Sequence, residues 1–188
     1  MELAHSVGDD AALQQAALYC IKSNANQSQN LLSFLFDSKE FSLLEHFTFT
    51  FKVEAPVAVF RELMRERVIS YFKTTGKDRV FTGEFYLPLS LPPIAGLRIT
   101  AAYEDAFTTY QQLLAEGSSP EEARLVLPTA TYADMMVTLS LRELFKLESK
   151  TGTDDGAISN IFNQMLLIVE QSFPLTISEY YKTDKVGL

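Results

Sequence analysis

The most constraining feature of this chain is a short run of strict alternation. Within His46–Val53, Phe47, Phe49, Phe51 and Val53 take every second position, with Thr48, Thr50 and Lys52 between them. A period of two puts the four apolar side chains on one face of an extended strand and the polar ones on the other. Aromatic and β-branched residues suit such a half-buried surface. The run therefore demands a sheet with one face against a core. A second run, Ala133–Leu141, repeats the pattern with Met135, Val137, Leu139 and Leu141 on one side.

Helical signals surround these runs. Asp9 and Asp10 can cap a helix through Ala11–Ile21, and Ser28 can cap a short one holding Leu31, Leu32, Phe34, Leu35 and Phe36. Pro56 suits the first turn of a helix from Val57 to about Phe72. Arg79–Leu87 is expected as another strand, ended by Pro88, and the proline-rich Pro88–Pro93 as a connector. Ile99–Glu116 reads as a long helix closed by Gly117. Ser119-Pro120-Glu121-Glu122 starts the next, with a cap, a proline in the first turn and acids facing the positive helix end. Pro128 stops it. A last helix is expected over Asp155–Phe173. Strands separated by helices predict an α+β fold, a small mostly antiparallel sheet covered by helices. With 188 residues, 47% of them hydrophobic, and no internal repeat or linker, one domain over 1–188 is the simplest organisation.

Charge narrows the function. The net charge of −8 argues against a protein that coats nucleic acid, while leaving room for a local basic pocket. Such a pocket has a candidate segment. Arg61, Arg65, Arg67, Lys73, Lys77 and Arg79 face only Glu62, Glu66 and Asp78, so Arg61–Arg79 carries +3 and the remainder −11. Guanidinium groups fork onto phosphate oxygens. The competing reading is a solvated helix face laced by pairs such as Glu62–Arg65. Arg65 and Arg67 lie about 200° apart on an ideal helix, so they serve two ligands or two subunits unless the helix ends nearby. The lone Cys20 and two histidines exclude a disulfide framework or a histidine-based metal site. No apolar run approaches the roughly 18–20 residues of a membrane span, and the start lacks a signal peptide's basic and apolar regions. A soluble cytoplasmic protein is the expectation.

Several motifs together resemble the flavin-dependent thymidylate synthase family, ThyX. That family's signature is Arg-His-Arg, two residues, Ser, one residue, Asn-Glu, one residue, Ser, one residue, Arg. Here Arg65-Glu66-Arg67-Val68-Ile69-Ser70-Tyr71-Phe72-Lys73-Thr74-Thr75-Gly76-Lys77 keeps both arginines and the first serine, with Thr75 and Lys77 conservative. Glu45-His46-Phe-Thr-Phe-Thr-Phe-Lys-Val-Glu-Ala-Pro56 resembles the family strand before it, and Gly83-Glu-Phe-Tyr-Leu-Pro88 the segment after it. Glu122-Ala-Arg124-Leu-Val-Leu-Pro128-Thr-Ala-Thr-Tyr132 is similar to a second signature, and Arg142-Glu-Leu144 follows at the family spacing. The likeness runs in order along nearly the whole chain.

The resemblance implies an α+β homotetramer with active sites between subunits, making dTMP from dUMP with FAD, NADPH and methylenetetrahydrofolate. It places Ser42, Arg65, Arg67 and Arg142 at the flavin, and Arg65, Thr75, Lys77 and Arg124 at the pyrimidine deoxynucleotide. The chain also departs from the pattern. A family arginine that supports ionisation of the uracil ring is Thr151, with Lys150 beside it, so no catalytic residue is assigned. The central His is Glu66, the Asn-Glu pair is Phe72-Lys73, a histidine is replaced by Glu40, and two asparagines by Ser140 and Lys146. These departures leave two expectations: an active C5-alkylating flavoenzyme, or a catalytically degenerate homologue that binds nucleotide or a partner subunit.

Overall fold

A computed structural model of the protein describes residues 1–21, 31–73, 80–88, 90–151 and 156–182. The elements run β1 (Glu2–Ser6), α1 (Asp10–Ile21), α2 (Leu31–Asp37), a 3-10 turn (Phe41–His46), β2 (Thr48–Pro56), α3 (Val57–Leu63), β3 (Ser70–Lys73), α4 (Pro93–Ala115), α5 (Pro120–Ala123), a second 3-10 turn (Arg124–Val126), β4 (Tyr132–Ser140), α6 (Leu141–Thr151), α7 (Ala157–Val169) and α8 (Pro174–Lys182). The four strands form one small antiparallel sheet in the order β1-β2-β4-β3. β1 lies antiparallel to β2, with Leu3 opposite Phe51 and His5 opposite Thr50, and an irregularity between them. The α+β expectation holds.

The chain divides into two compact units. One comprises 1–52, 66–71 and 136–188, the other 53–65 and 72–135. In the first, the alternation of β2 does what its pattern requires: Phe47, Phe49 and Phe51 are buried. Phe173 meets Phe47 and Phe49 edge-on, at ring separations of 5.7 and 5.5 Å. Burying each such ring contributes about 1.5–3 kcal/mol. Tyr180 of α8 stacks on Phe145 of α6 at 4.0 Å. In the second unit, Val59, Phe60 and Leu63 bury one side of α3, and Tyr103 and Tyr110 anchor α4. Phe85 stacks on Tyr103 at 3.9 Å. Gly83 sits at φ +91°, where a Cβ would lie 2.9 Å from the Phe107 ring, so only glycine fits that turn.

Several expectations are corrected. α3 ends at Leu63 rather than near Phe72, and Ser70–Lys73 is β3. Val68, Ile69, Tyr71 and Phe72 crowd a helix but suit a strand, and pairing in the sheet decides between the two. Pro56 precedes α3 as its N-cap. Among the described residues of Arg79–Leu87 there is no strand, only an isolated bridge between Phe85 and Thr131. α4 starts at Pro93, inside the expected connector. Leu141 opens α6 instead of closing β4, and the expected last helix is α7 alone, with α8 following Phe173. Asp9 caps α1, its Oδ1 accepting from the Ala12 amide at 2.8 Å. The Ser28 cap lies outside the described residues. Ser119 and Glu122 form the anticipated capping box.

Candidate functional site

The second unit holds a basic cleft of about 320 Å³. Its walls are built by local structure that the sequence encodes. The Ser119–Glu122 capping box fixes α5, and the Ser119 donors hold the Glu122 carboxyl below the usual carboxylate range. Arg124 follows at once in the 3-10 turn, whose end is closed by the Leu127 amide on the Arg124 carbonyl at 3.1 Å. Pro128 breaks the helix, and Thr131 folds back on its carbonyl through both amide (3.1 Å) and hydroxyl (2.7 Å). This loop then receives α3: the Val57 and Ala58 amides donate to the Thr131 and Thr129 carbonyls, each at 3.0 Å. These bonds satisfy donors that a helix start otherwise leaves open. Arg61, one turn on, lines the cleft with Arg124, Lys73 at the end of β3, and Asp134 of β4. Arg124 pairs with Glu121 at 3.7 Å. Among the described residues, the side chains of Arg61 and Lys73 make no ion pair. Three cations against one lining acid give the cleft a positive lining, suited to an anion.

The first unit holds a cleft of different character, about 510 Å³. Here the cations are matched. Arg142 forms a short ion pair with Glu45, and Lys146 pairs with the buried Glu143 at 3.4 Å. Hydroxyl groups of Thr48, Ser70, Thr138 and Ser140 fill the intervals of the lining. Ser140 also caps α6, accepting from the Glu143 amide at 3.2 Å. Two acids and two bases leave this cleft electrically balanced, suited to an uncharged hydrogen-bonding ring system rather than a free phosphate. Beside it, Lys150 near the end of α6 donates to both Glu66 carboxylate oxygens, at 3.2 and 3.4 Å. Tyr71 donates to the Glu66 carbonyl at 3.3 Å. Burial, then the charges of Glu66 and Glu143, push the Tyr71 hydroxyl up to about 12.

The sequence-derived site residues are distributed between these places. Arg124 lies in the basic cleft and Arg142 in the balanced one. Ser42 lines a third cleft, in the first unit, together with Glu40 and His46. Arg65 and Arg67 are exposed and line none of the three. Because α3 ends at Leu63, the 200° separation drawn from an ideal helix does not apply to them. The expected Glu62–Arg65 pair is absent: among the described residues neither arginine side chain forms an ion pair. Thr75 and Lys77 lie outside the described residues. Thr151 is the last residue of α6. The charged contributors not singled out as site residues from the sequence are Arg61, Asp134, Glu45 and Glu143. For Arg61 a signal existed, its place four residues before Arg65 in the basic segment. Glu45 is set by a contact distant in sequence, its pair with Arg142, whereas Glu143 pairs with Lys146 three residues on. No cluster of metal-ligating side chains occurs among the described residues, and none of their helices is long and apolar enough to cross a membrane.

A small antiparallel sheet among helices, with a basic cleft lined by Arg124 of the second signature, defines an α+β protein. A family model described as thymidylate synthase complementing protein matches residues 2–175, and the chain belongs to that family, ThyX. A flavin-dependent thymidylate synthase from Tropheryma whipplei is 31% identical over 146 residues, covering 66% of this chain and 61% of that protein. One from Thermotoga neapolitana is 30% identical over 155 residues, covering 77% and 72%. The chain spans about three fifths of the length of the first curated relatives it matches. Among solved structures, a UMP/dUMP methylase, PolB, from Streptomyces cacaoi bound with 5-Br dUMP is 28% identical with a TM-score of 0.82, covering 100% of this chain and 96% of that one.

Proposed function

We propose that this chain is a flavin-dependent enzyme that adds a one-carbon unit to C5 of a pyrimidine nucleotide, converting dUMP to dTMP or carrying out a related C5 alkylation. The observation that carries the reading is the basic cleft, where Arg61, Lys73 and Arg124 meet in a chain of net charge −8. The names of the similar proteins support it: flavin-dependent thymidylate synthases and a UMP/dUMP methylase. Methylenetetrahydrofolate and NADPH are the proposed co-substrates, and a cytoplasmic homotetramer the proposed working form. The two compact units act in this reading as one ThyX-like domain over 1–188.

The donor set fits FAD. The balanced cleft offers hydroxyls and the Arg142–Glu45 and Lys146–Glu143 pairs to the hydrogen-bonding edge of a flavin ring. Its cations are already matched, so the diphosphate falls to unpaired arginines, for which Arg65 and Arg67 are the candidates. Their outward exposure suits a site completed by a neighbouring protomer. When bound and reduced, the flavin supplies hydride. The chain's own residues bind and orient: Arg124 and Arg61 neutralise the nucleotide phosphate, and Arg142, held by Glu45, keeps a fixed guanidinium toward the ring system.

A second reading, a degenerate homologue that binds nucleotide or a partner subunit, draws on one specific contact. Lys150, the cation nearest the replaced family arginine, is held by Glu66, itself a replacement. The pair consumes the charge that would otherwise stand in for the lost guanidinium. One experiment separates the readings. Purified protein, incubated with FAD and freed of excess, is expected to retain flavin absorbance. With methylenetetrahydrofolate and NADPH it is expected to release tritium from C5-labelled dUMP. Flavin retention without release from dUMP, UMP or dCMP selects the degenerate reading, and retention of neither flavin nor nucleotide rejects both.

A further inference from the structure

One lining residue of the basic cleft departs from the family signature, and the change has a chemical direction. Lys73 stands where the resemblance places glutamate, and the structure puts it in the lining of the same cleft as Arg61 and Arg124. A carboxylate there would repel a phosphate dianion, whereas an ammonium attracts it. Of the four charged residues lining the cleft, Arg124 is shared with Glu121 at 3.7 Å, and Asp134 is the single acid. Arg61 and Lys73 make no ion pair among the described residues. Lys73 is also exposed, at the last position of β3. A lysine in that setting remains a compact, well-hydrated point charge with three freely rotating donors. Such a group matches the terminal oxygens of a solvated phosphate. It is a poor match for the edge of a pyrimidine ring, which needs donors at set angles.

We propose that Lys73 contacts the phosphate of the pyrimidine nucleotide, and that with Arg61 it sets this cleft's preference for nucleotides over nucleosides. The proposal rests on the nucleotide reading above and deepens it: the recognised feature is a monoester phosphate dianion on a pyrimidine nucleoside. A site built with this extra cation draws more of its selectivity from charge, and its affinity falls more steeply with salt.

The test is equilibrium binding of dUMP, UMP and deoxyuridine to the full chain and to the variants Lys73→Met, Lys73→Glu and Lys73→Arg. Because the side chain is exposed and makes no ion pair among the described residues, the variants are expected to melt as wild type does. Lys73→Met should weaken dUMP and UMP about tenfold, one charge-assisted contact, and Lys73→Glu more than that. Lys73→Arg should stay within about threefold of wild type. Deoxyuridine affinity should change less than about twofold throughout, and the gap between wild type and Lys73→Met should narrow as salt rises. Wild type that binds dUMP with the same affinity as Lys73→Met overturns the proposal alone. So does a Lys73→Met loss that is equal for dUMP and deoxyuridine. Wild type that binds none of the three ligands overturns the nucleotide reading together with it.

Discussion

Asp10 is buried at the start of α1, yet its carboxylate serves a different helix. Its Oδ2 accepts from the Leu175 amide at 2.6 Å, and its Oδ1 from the amide (3.1 Å) and hydroxyl of Thr176. One side chain thus caps α8 from 165 residues away. Asp9, its neighbour, performs the local duty of capping α1. Replacing Asp10 with alanine strands buried donors of α8, at a cost of about 2–3 kcal/mol. Urea denaturation should show that loss for Asp10→Ala and a smaller one for Asp9→Ala, whose cap is exposed. Equal losses would mean that the contact between α1 and α8 is immaterial. Ser140 and Glu66 make the same point in the site. Each replaces a residue the family pattern expects, and each has a structural contact of its own, the α6 cap and the Lys150 pair.

At the scale of elements, the short strand β3 supplies a lining residue to each of two clefts. Ending α3 at Leu63 frees Arg65 and Arg67 from a helical face and turns Ser70 and Lys73 toward different clefts. Tyr71, between them, lies near Glu66 and the buried Glu143 of α6, and its hydroxyl is pushed up to about 12 by burial first and those charges second. An unfolded tyrosine titrates near pH 10. Since the folded value is the higher one, the protonated form is favoured by folding. The contribution is complete below about pH 10 and is lost as pH rises through about 12. Chemical denaturation at stepped alkaline pH should show stability falling across that window, and less steeply in Tyr71→Phe. Identical slopes in the two proteins would remove Tyr71 from the linkage.

On the scale of the whole molecule, charge is sorted. A chain of net charge −8 gathers Arg61, Lys73 and Arg124 in one cleft and leaves Arg65 and Arg67 without an ion pair among the described residues, while Arg142, Lys146 and Lys150 each pair with an acid. Exposed arginines without an ion pair add little to the fold of one protomer. Arg65→Ala and Arg67→Ala should therefore leave the melting transition within about 0.5 kcal/mol of wild type. Both should lower FAD retention, measured on the same preparations by visible absorbance. Loss of stability with unchanged flavin retention would assign them to the fold instead.

Local rules determined much of this protein. The alternation at Phe47, Phe49, Phe51 and Val53, the Ser119 capping box, the Asp9 cap and the helix-stopping Pro128 are each settled by a few neighbouring residues, because backbone sterics and short hydrogen bonds act over one turn or one strand. The basic segment and the ordered motifs likewise made the family legible. Tertiary structure alone decided where α3 gives way to β3, since Val68–Phe72 satisfies either periodicity until a neighbouring strand supplies hydrogen bonds. It alone decided that Asp10 caps α8, that Lys150 is held by Glu66, that Arg142 is neutralised by Glu45, and that Arg61, Lys73 and Arg124 line one cleft. Those outcomes depend on groups far apart in the chain, and the energy of such a pair exists only once folding has brought both members out of bulk water and within reach.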